Sequence, residues 1–303
     1  MKTRIFILLA GVLALTVACN NDDKTATADN NNNQSSDLVP VTLTAQTEPS
    51  TRAATTTLND NYIASNQSVK VRVANVGTPT VFNEYDYTAG ENGALNLQSE
   101  TPPYYPTNGT NINIVAYHPG DAGGSFTVLA DQSSDANYIN SDLMWSDNLS
   151  NVSKSYDPQT LTFAHKLCKI VVTATGVGGV GQINSITLNH VLPTVSFNNT
   201  TGATGVASGD ATNITLLSGG TSGSVTATAI IPAQTIDGNL ITFTGKTTSN
   251  DNFSAIYRVD SKPFAANNVY TFTLNVSRVG VTGQNAVTAW SNGGNSSGTV
   301  YTE

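Results

Sequence analysis

Short runs in which apolar and polar residues alternate with period two recur along most of the chain. The first is residues 38–46, where Val39, Val41, Leu43 and Ala45 share one face and Pro40, Thr42, Thr44 and Gln46 the other. This pattern predicts a half-buried strand. Pro40 has no N–H to donate, so the strand is expected at a sheet edge or starting at that residue. In 68–76, Val69, Val71 and Val73 alternate with Lys70 and Arg72; strands are also expected at 112–119, 127–132 and 138–147. Turn clusters rich in Gly, Pro and Asn lie between them, at 88–94, 101–110 and 119–124.

The run 161–175 changes parity. Leu161, Phe163 and Leu167 fall on one face, and Cys168, Ile170, Val172 and Ala174 on the other. A strand cannot switch faces without an extra residue, so a bulge or bend is expected between His165 and Cys168, where the chain passes from one sheet to another. Strands are then predicted at 183–191, 224–234, 240–245, 253–259 and 268–279. In the last, Tyr270, Phe272, Leu274 and Val276 alternate with threonine, asparagine and serine. After it, 286–290 reads as a weak strand, followed by a Gly/Asn/Ser patch and a short Val-Tyr-Thr end. Many short strands between turns predict an all-β protein of sandwich type, with two domains joined near residue 158.

Composition narrows the surface. Only 11% of the 303 residues are charged, well below the roughly 25% usual in soluble proteins. Threonine, serine and asparagine must therefore supply the solvated positions. The net charge is −8 with no basic cluster, which argues against nucleic-acid partners, since these need cations against phosphate.

The N-terminus breaks the alternation. Lys2 and Arg4 precede an apolar run from Ile5 to Ala18, too short to span a membrane comfortably and typical of an export signal. Its end, Thr16-Val17-Ala18-Cys19, resembles a bacterial lipobox, in which the Cys19 thiol is acylated and becomes the new N-terminus. Thr16 departs from the usual leucine, which stands one residue earlier at Leu15. The other reading is an ordinary cleaved signal with an incidental cysteine. Residues 20–37 are almost devoid of apolar side chains and are expected to form a tether. Asp22 and Asp23 within it resemble a surface-export signal, or are simply a solvated spacer.

Little in the sequence points to catalysis. His118, His165 and His190 lack metal-site spacing among themselves or with the cysteines, and neither a nucleophile elbow nor a phosphate loop is present. Cys168 shares the parity of Ile170 and Val172 and is expected to be a buried, inert thiol. The glycines of 176–181 precede a strand pattern, so they form a loop between strands. No enzymatic activity, cofactor or metal is expected.

Several segments together resemble the fimbrillins, pilin subunits of the type V pili of Gram-negative anaerobes. They are the lipobox, Ala116-Tyr117-His118-Pro119, residues 141–146, residues 161–172 with Phe163, His165, Leu167 and Lys169 at alternate positions, residues 229–235, and Trp290 after an alternating strand. The resemblance implies two transthyretin-like β-sandwich domains in tandem. It also implies an outer-membrane lipoprotein precursor anchored through Cys19, cut by an arginine-type protease near its N-terminus. The strand upstream of the cut leaves, and the C-terminal segment of a neighbouring subunit fills the groove.

The sequence offers matching parts. Arg52 stands alone among the cations between Lys24 and Lys70, in a pliable Thr/Ala stretch just beyond the 38–46 strand. Cleavage between Arg52 and Ala53 would free a strand carrying Val39, Val41, Leu43 and Ala45; the alternative is an ordinary solvated arginine. The expected organisation is a signal at 1–18, a tether and removable strand at 19–52, and sandwiches at 53–158 and 159–303. Candidate donor positions are Ala286, Val287, Ala289, Trp290 and Val300. The expected partners are other pilin subunits, anchor or tip pilins, the outer membrane through the precursor's lipid, and a host or bacterial surface ligand. The competing expectation is a non-polymerising surface lipoprotein or pilus-tip adhesin that binds glycan or host protein.

Overall fold

A computed structural model describes residues 38–47, 62–290 and, for the backbone alone, 298–301. Cys19, Arg52 and Ala53 lie outside the described residues, as do the signal and tether.

The first half builds one seven-stranded sheet. Its strands are β1 (Leu43–Thr47), β2 (Ser68–Asn75), β3 (Asn83–Ala89), β4 (Leu95–Leu97), β5 (Ile112–His118), β7 (Met144–Val152) and β8 (Gln159–His165), in the order β1-β8-β7-β5-β2-β3-β4. The β1–β8 pair is parallel and the other pairs are antiparallel. The alternation in β2 works as the sequence predicts, with Val69, Val71 and Val73 buried in one cluster with Ile112, Ile114, Leu161 and Phe163.

The second half packs two sheets face to face around a second cluster. One has the order β13-β9-β16-β17-β18 and the other β12-β10-β14-β15. The five-stranded sheet comprises β9 (Cys168–Gly176), β13 (Ser224–Ile231), β16 (Asn268–Ser277), β17 (Gly280–Ala289) and β18 (Gly298–Tyr301). The other comprises β10 (Val180–Val191), β12 (Thr212–Thr221), β14 (Gln234–Thr247) and β15 (Asn252–Phe264). Ile170, Val172, Phe272 and Leu274 bury against the layer carrying Ile186, Leu188, Ile241 and Phe243. Hydroxyl pairs run across neighbouring strands, Thr173 with Thr226 at 3.0 Å, Thr175 with Ser224 at 3.2 Å and Ser185 with Thr244 at 2.6 Å. Such pairs put threonine and serine at part-exposed positions where most proteins carry charge.

The parity switch at His165–Cys168 is a crossing between sheets. β8 ends at His165, the chain bends at Lys166-Leu167, and β9 starts at Cys168 in the five-stranded sheet. The junction expected near residue 158 therefore moves. β8 is a strand of the first sheet, paired with β1 and β7, so residues 159–165 do not open the second half.

Two further expectations need correction. Residues 127–132 are not a strand: β6 covers Gly124–Thr127 and pairs with β11 (Thr194–Phe197) from the second half. Residues 138–147 begin in a short helix, α1 (Asp135–Asn140), whose first turn is capped by Ser134 accepting from the Asn137 N–H. The polar run around Ser134 and Asp135 carried that signal. The β6–β11 ribbon and the 198–205 loop cover the far face of β5 and β7, where Tyr117, Trp145 and Phe197 pack edge and face. Gly202 is required there. Its φ is +68°, and a Cβ would come within 2.4 Å of the Trp145 ring.

Candidate functional site: the N-terminal strand and its groove

Residues 38–47 lie in a groove with hydrogen-bonding partners on both rims. On one side β1 runs parallel to β8, with Leu43 opposite Gln159 and Thr47 opposite Phe163. On the other side Thr44 bridges Ala94 and Pro40 bridges Tyr104, both antiparallel. The Val41 N–H donates to the Pro103 carbonyl at 2.8 Å and the Tyr105 N–H to the Val39 carbonyl at 3.0 Å. The strand is therefore bordered where the sequence pointed to a free edge. Pro40 is tolerated because its neighbours Val39 and Val41 carry these bonds and its ring faces solvent.

The four alternate residues expected to face inward do so. Val39, Val41, Leu43 and Ala45 are all buried, together with Thr47, which the apolar pattern did not include. They pack in the cluster that holds Val71, Ala89, Tyr105, Ile114 and Phe163. Outside, Thr44 Oγ1 lies 3.0 Å from Thr160 Oγ1, and Gln46 Nε2 donates to Thr162 Oγ1 at 3.2 Å. Burial pushes the Tyr87 hydroxyl in this cluster up to about 12, so it stays neutral. The occupant thus carries no charged side chain among residues 38–47 and is held by backbone bonds and small apolar side chains. Any strand of similar alternation presents the same features.

Gly93 makes the fit possible. It closes the 3-10 turn Glu91–Gly93 at φ +81°, and a Cβ there would lie 2.2 Å from the Ala45 carbonyl oxygen. The sequence marked 88–94 only as a turn; the close approach of a distant strand leaves no local signal.

The expected donor residues sit differently. Ala286, Val287 and Ala289 are in β17, paired residue by residue with β16 from Ser277–Gly280 to Asn268–Ala289. Trp290 is buried. Its ring stacks on His165 at 3.6 Å, its backbone N–H donates to the Asn267 carbonyl at 2.8 Å, and Lys169 Nζ lies 5.7 Å from the ring centroid. His165 Nδ1 donates to Asp142 Oδ1 at 2.9 Å. His165 and Lys169 therefore form an internal clamp that holds Trp290, just after β17, against the end of β8. A segment so engaged is not a free donor, and 286–290 departs from that expectation. Val300 alone falls beyond it, in β18, whose backbone pairs with β17 opposite Asn285.

The remaining chemistry-bearing residues are structural. Burial pushes the Cys168 thiol up to about 12, which makes it a poor nucleophile. His118 is fully buried and its pKa is lowered by desolvation; its Nδ1–H donates to the Ser68 carbonyl at 2.9 Å. Among the described residues no group of three His, Cys, Asp or Glu is arranged to hold a metal ion, and no helix is long and apolar enough to cross a membrane.

The sequence matches the fimbrillin-like family over residues 25–290. The chain belongs to the fimbrillin-like family. Its members are structural, non-enzymatic proteins. No curated protein matches the sequence. Among solved structures, the fimbrillin-like chain is similar to a candidate cell adhesion protein from Bacteroides uniformis. That pair has 21% identity and a TM-score of 0.60, covering 83% of this chain and 98% of the other. A second candidate cell adhesion protein, from Bacteroides ovatus, has 16% identity and a TM-score of 0.60 over 84% of this chain and 98% of its own. A fimbrial protein from Bacteroides vulgatus has 12% identity and a TM-score of 0.50, over 82% and 99%. At these identities the likeness is one of fold, and it spans nearly the whole of each relative.

Proposed function

We propose that this chain is a subunit of a cell-surface fimbria that assembles by strand exchange and supports adhesion. The observation that carries the proposal is the occupied groove: an N-terminal strand bordered on both rims, buried through alternate small apolar residues and without charged side chains. Fimbrillin-like membership and the fimbrial and cell adhesion proteins of the same fold support the same reading.

In this mechanism Cys19 carries the precursor's lipid to the outer membrane, and a protease cuts between Arg52 and Ala53. While the strand is covalently joined, its effective concentration at the groove is high; once cut, it departs and does not return. Emptying the groove exposes the backbone of Gln159–Phe163, the Pro103 carbonyl and the Tyr105 N–H, with an apolar floor beneath. These are the conditions for strand addition. Reburial of a comparable set of side chains contributes several kcal/mol, at roughly 25 cal/mol per Å² of apolar area, before ordering costs. The segment offered to a neighbour lies beyond Trp290, around Val300, because 286–290 is bound into the core.

The test is N-terminal mass spectrometry of surface-assembled protein, alongside an Arg52→Ala variant. The proposal expects a mature terminus at Ala53 and loss of polymer in the variant. An acylated Cys19 terminus in assembled material, indifferent to Arg52, would overturn it.

A further inference from the structure

A cleft of about 420 Å³ opens beside the β5–β6 connection, away from the groove. Asp121, Ser125, Thr127 and Asn140 give it polar walls, while Phe126 and Leu129 form an apolar patch. The volume lies within the roughly 300–1,000 Å³ usual for small-molecule sites. We propose that this cleft binds a neutral sugar residue at the end of a glycan, which deepens the adhesive part of the function proposed above without depending on polymerisation.

The chemistry of the lining selects the ligand class. No lysine or arginine lines the cleft, so it offers nothing to a phosphate, sulfate or carboxylate. It presents one carboxylate, one carboxamide and three hydroxyls, those of Ser68, Ser125 and Thr127, an array that both donates and accepts. Among the described residues, neither Asp121 nor Asn140 engages its side chain in a hydrogen bond or ion pair, and both are exposed to the opening. A pyranose carries hydroxyls around its rim and C–H groups on its face. The first suit Asp121 and Asn140, and the second suit the side chain of Leu129, which is 40% exposed over buried Phe126.

The walls are built before any ligand arrives. Phe126 and Thr127 sit in the β6–β11 ladder opposite Val195 and Thr194, and the Thr127 and Thr194 hydroxyls are 2.8 Å apart. Ser68, on the opposite rim, accepts from the Gly120 N–H through Oγ at 3.0 Å and through its carbonyl at 3.1 Å, and the same carbonyl accepts from buried His118. Asn140 ends the capped helix α1. Little ordering cost remains to be met on binding, which favours even a small ligand.

The experiment is saturation-transfer difference NMR on the full chain lacking its signal. The probes are the methyl glycosides of glucose, galactose, mannose, fucose, N-acetylglucosamine and N-acetylgalactosamine at millimolar concentration. At least one is expected to receive saturation, with affinity lowered tenfold or more in Asp121→Ala and several-fold in Asn140→Ala. A Thr226→Ala control on the distant sheet leaves it unchanged. Both cleft residues are exposed, so the variants keep the parent's circular dichroism and thermal transition. Absence of transfer from every glycoside overturns the proposal, as does transfer that survives both cleft substitutions. Polymer formation by Asp121→Ala stays at the parent level, so failure here and failure of strand exchange read out separately.

Discussion

Two segments of this chain alternate apolar and polar residues near its two ends, and the structure treats them in opposite ways. The strand 38–47 has a five-residue ladder on one rim and isolated bridges on the other. β17 has ten paired positions with β16, a further strand on its outer side, and a buried tryptophan at its end. Period-two alternation says that a segment lies half-buried in a sheet. Whether it can leave depends on what borders it and on what pins its ends, and those are long-range facts.

Substitutions can break this contrast. Trp290→Ala removes a fully buried aromatic from the clamp with His165 and should cost about 3–5 kcal/mol, read as a lower midpoint in urea for the second half. Leu43→Ala should cost about 2–3 kcal/mol, but as local opening. Hydrogen exchange would speed up in 38–47 while β9 and β16 keep their protection. If both substitutions lowered global stability alike, the contrast between the two segments would fail. Gly93→Ala acts on the groove alone: the added Cβ meets the Ala45 carbonyl at a positive φ, for roughly 1–3 kcal/mol. Limited proteolysis near residue 47 should rise without loss of the folded core.

His118 supplies a pH effect of smaller size. Its folded pKa is lowered, chiefly by burial, which outweighs the hydrogen bond to Ser68 and the charges of Asp142 and Asp121. The unfolded chain therefore binds the extra proton first. The stability contributed by the neutral form is complete above about pH 6.5 and is lost as pH falls below it, by at most about 1.4 kcal/mol per pH unit. Thermal melts between pH 7 and 5 should show this slope, and His118→Asn, which keeps a donor toward Ser68, should flatten it. The smallest effect belongs to Cys168, where a thiol reagent should produce no labelling until the chain unfolds.

Local alternation made much of this fold readable. The runs at 68–75 and 268–277 and the inward set Val39, Val41, Leu43 and Ala45 all follow period two, and the parity switch at His165–Cys168 located the crossing between sheets. What stayed hidden was set by distant neighbours. The parallel pairing of β1 with β8, the need for Gly93 under Ala45, and the His165–Trp290 stack join residues far apart in sequence. The helix at 135–140 was overlooked because its six residues are too few to show a helical period. Residues 286–290 read as a candidate donor strand because half-burial by a neighbouring strand looks, in sequence, like half-burial by a partner.

The central claim is that residues 38–47 are a separable occupant of a groove that persists without them. Hydrogen exchange across Gln159–Phe163, measured on the chain cut after Arg52 and stripped of the upstream peptide, tests it most directly. The account predicts that β8 and the Tyr105 amide lose protection while β9, β16 and β17 retain theirs. Unchanged protection of β8, or loss throughout both halves, would contradict it.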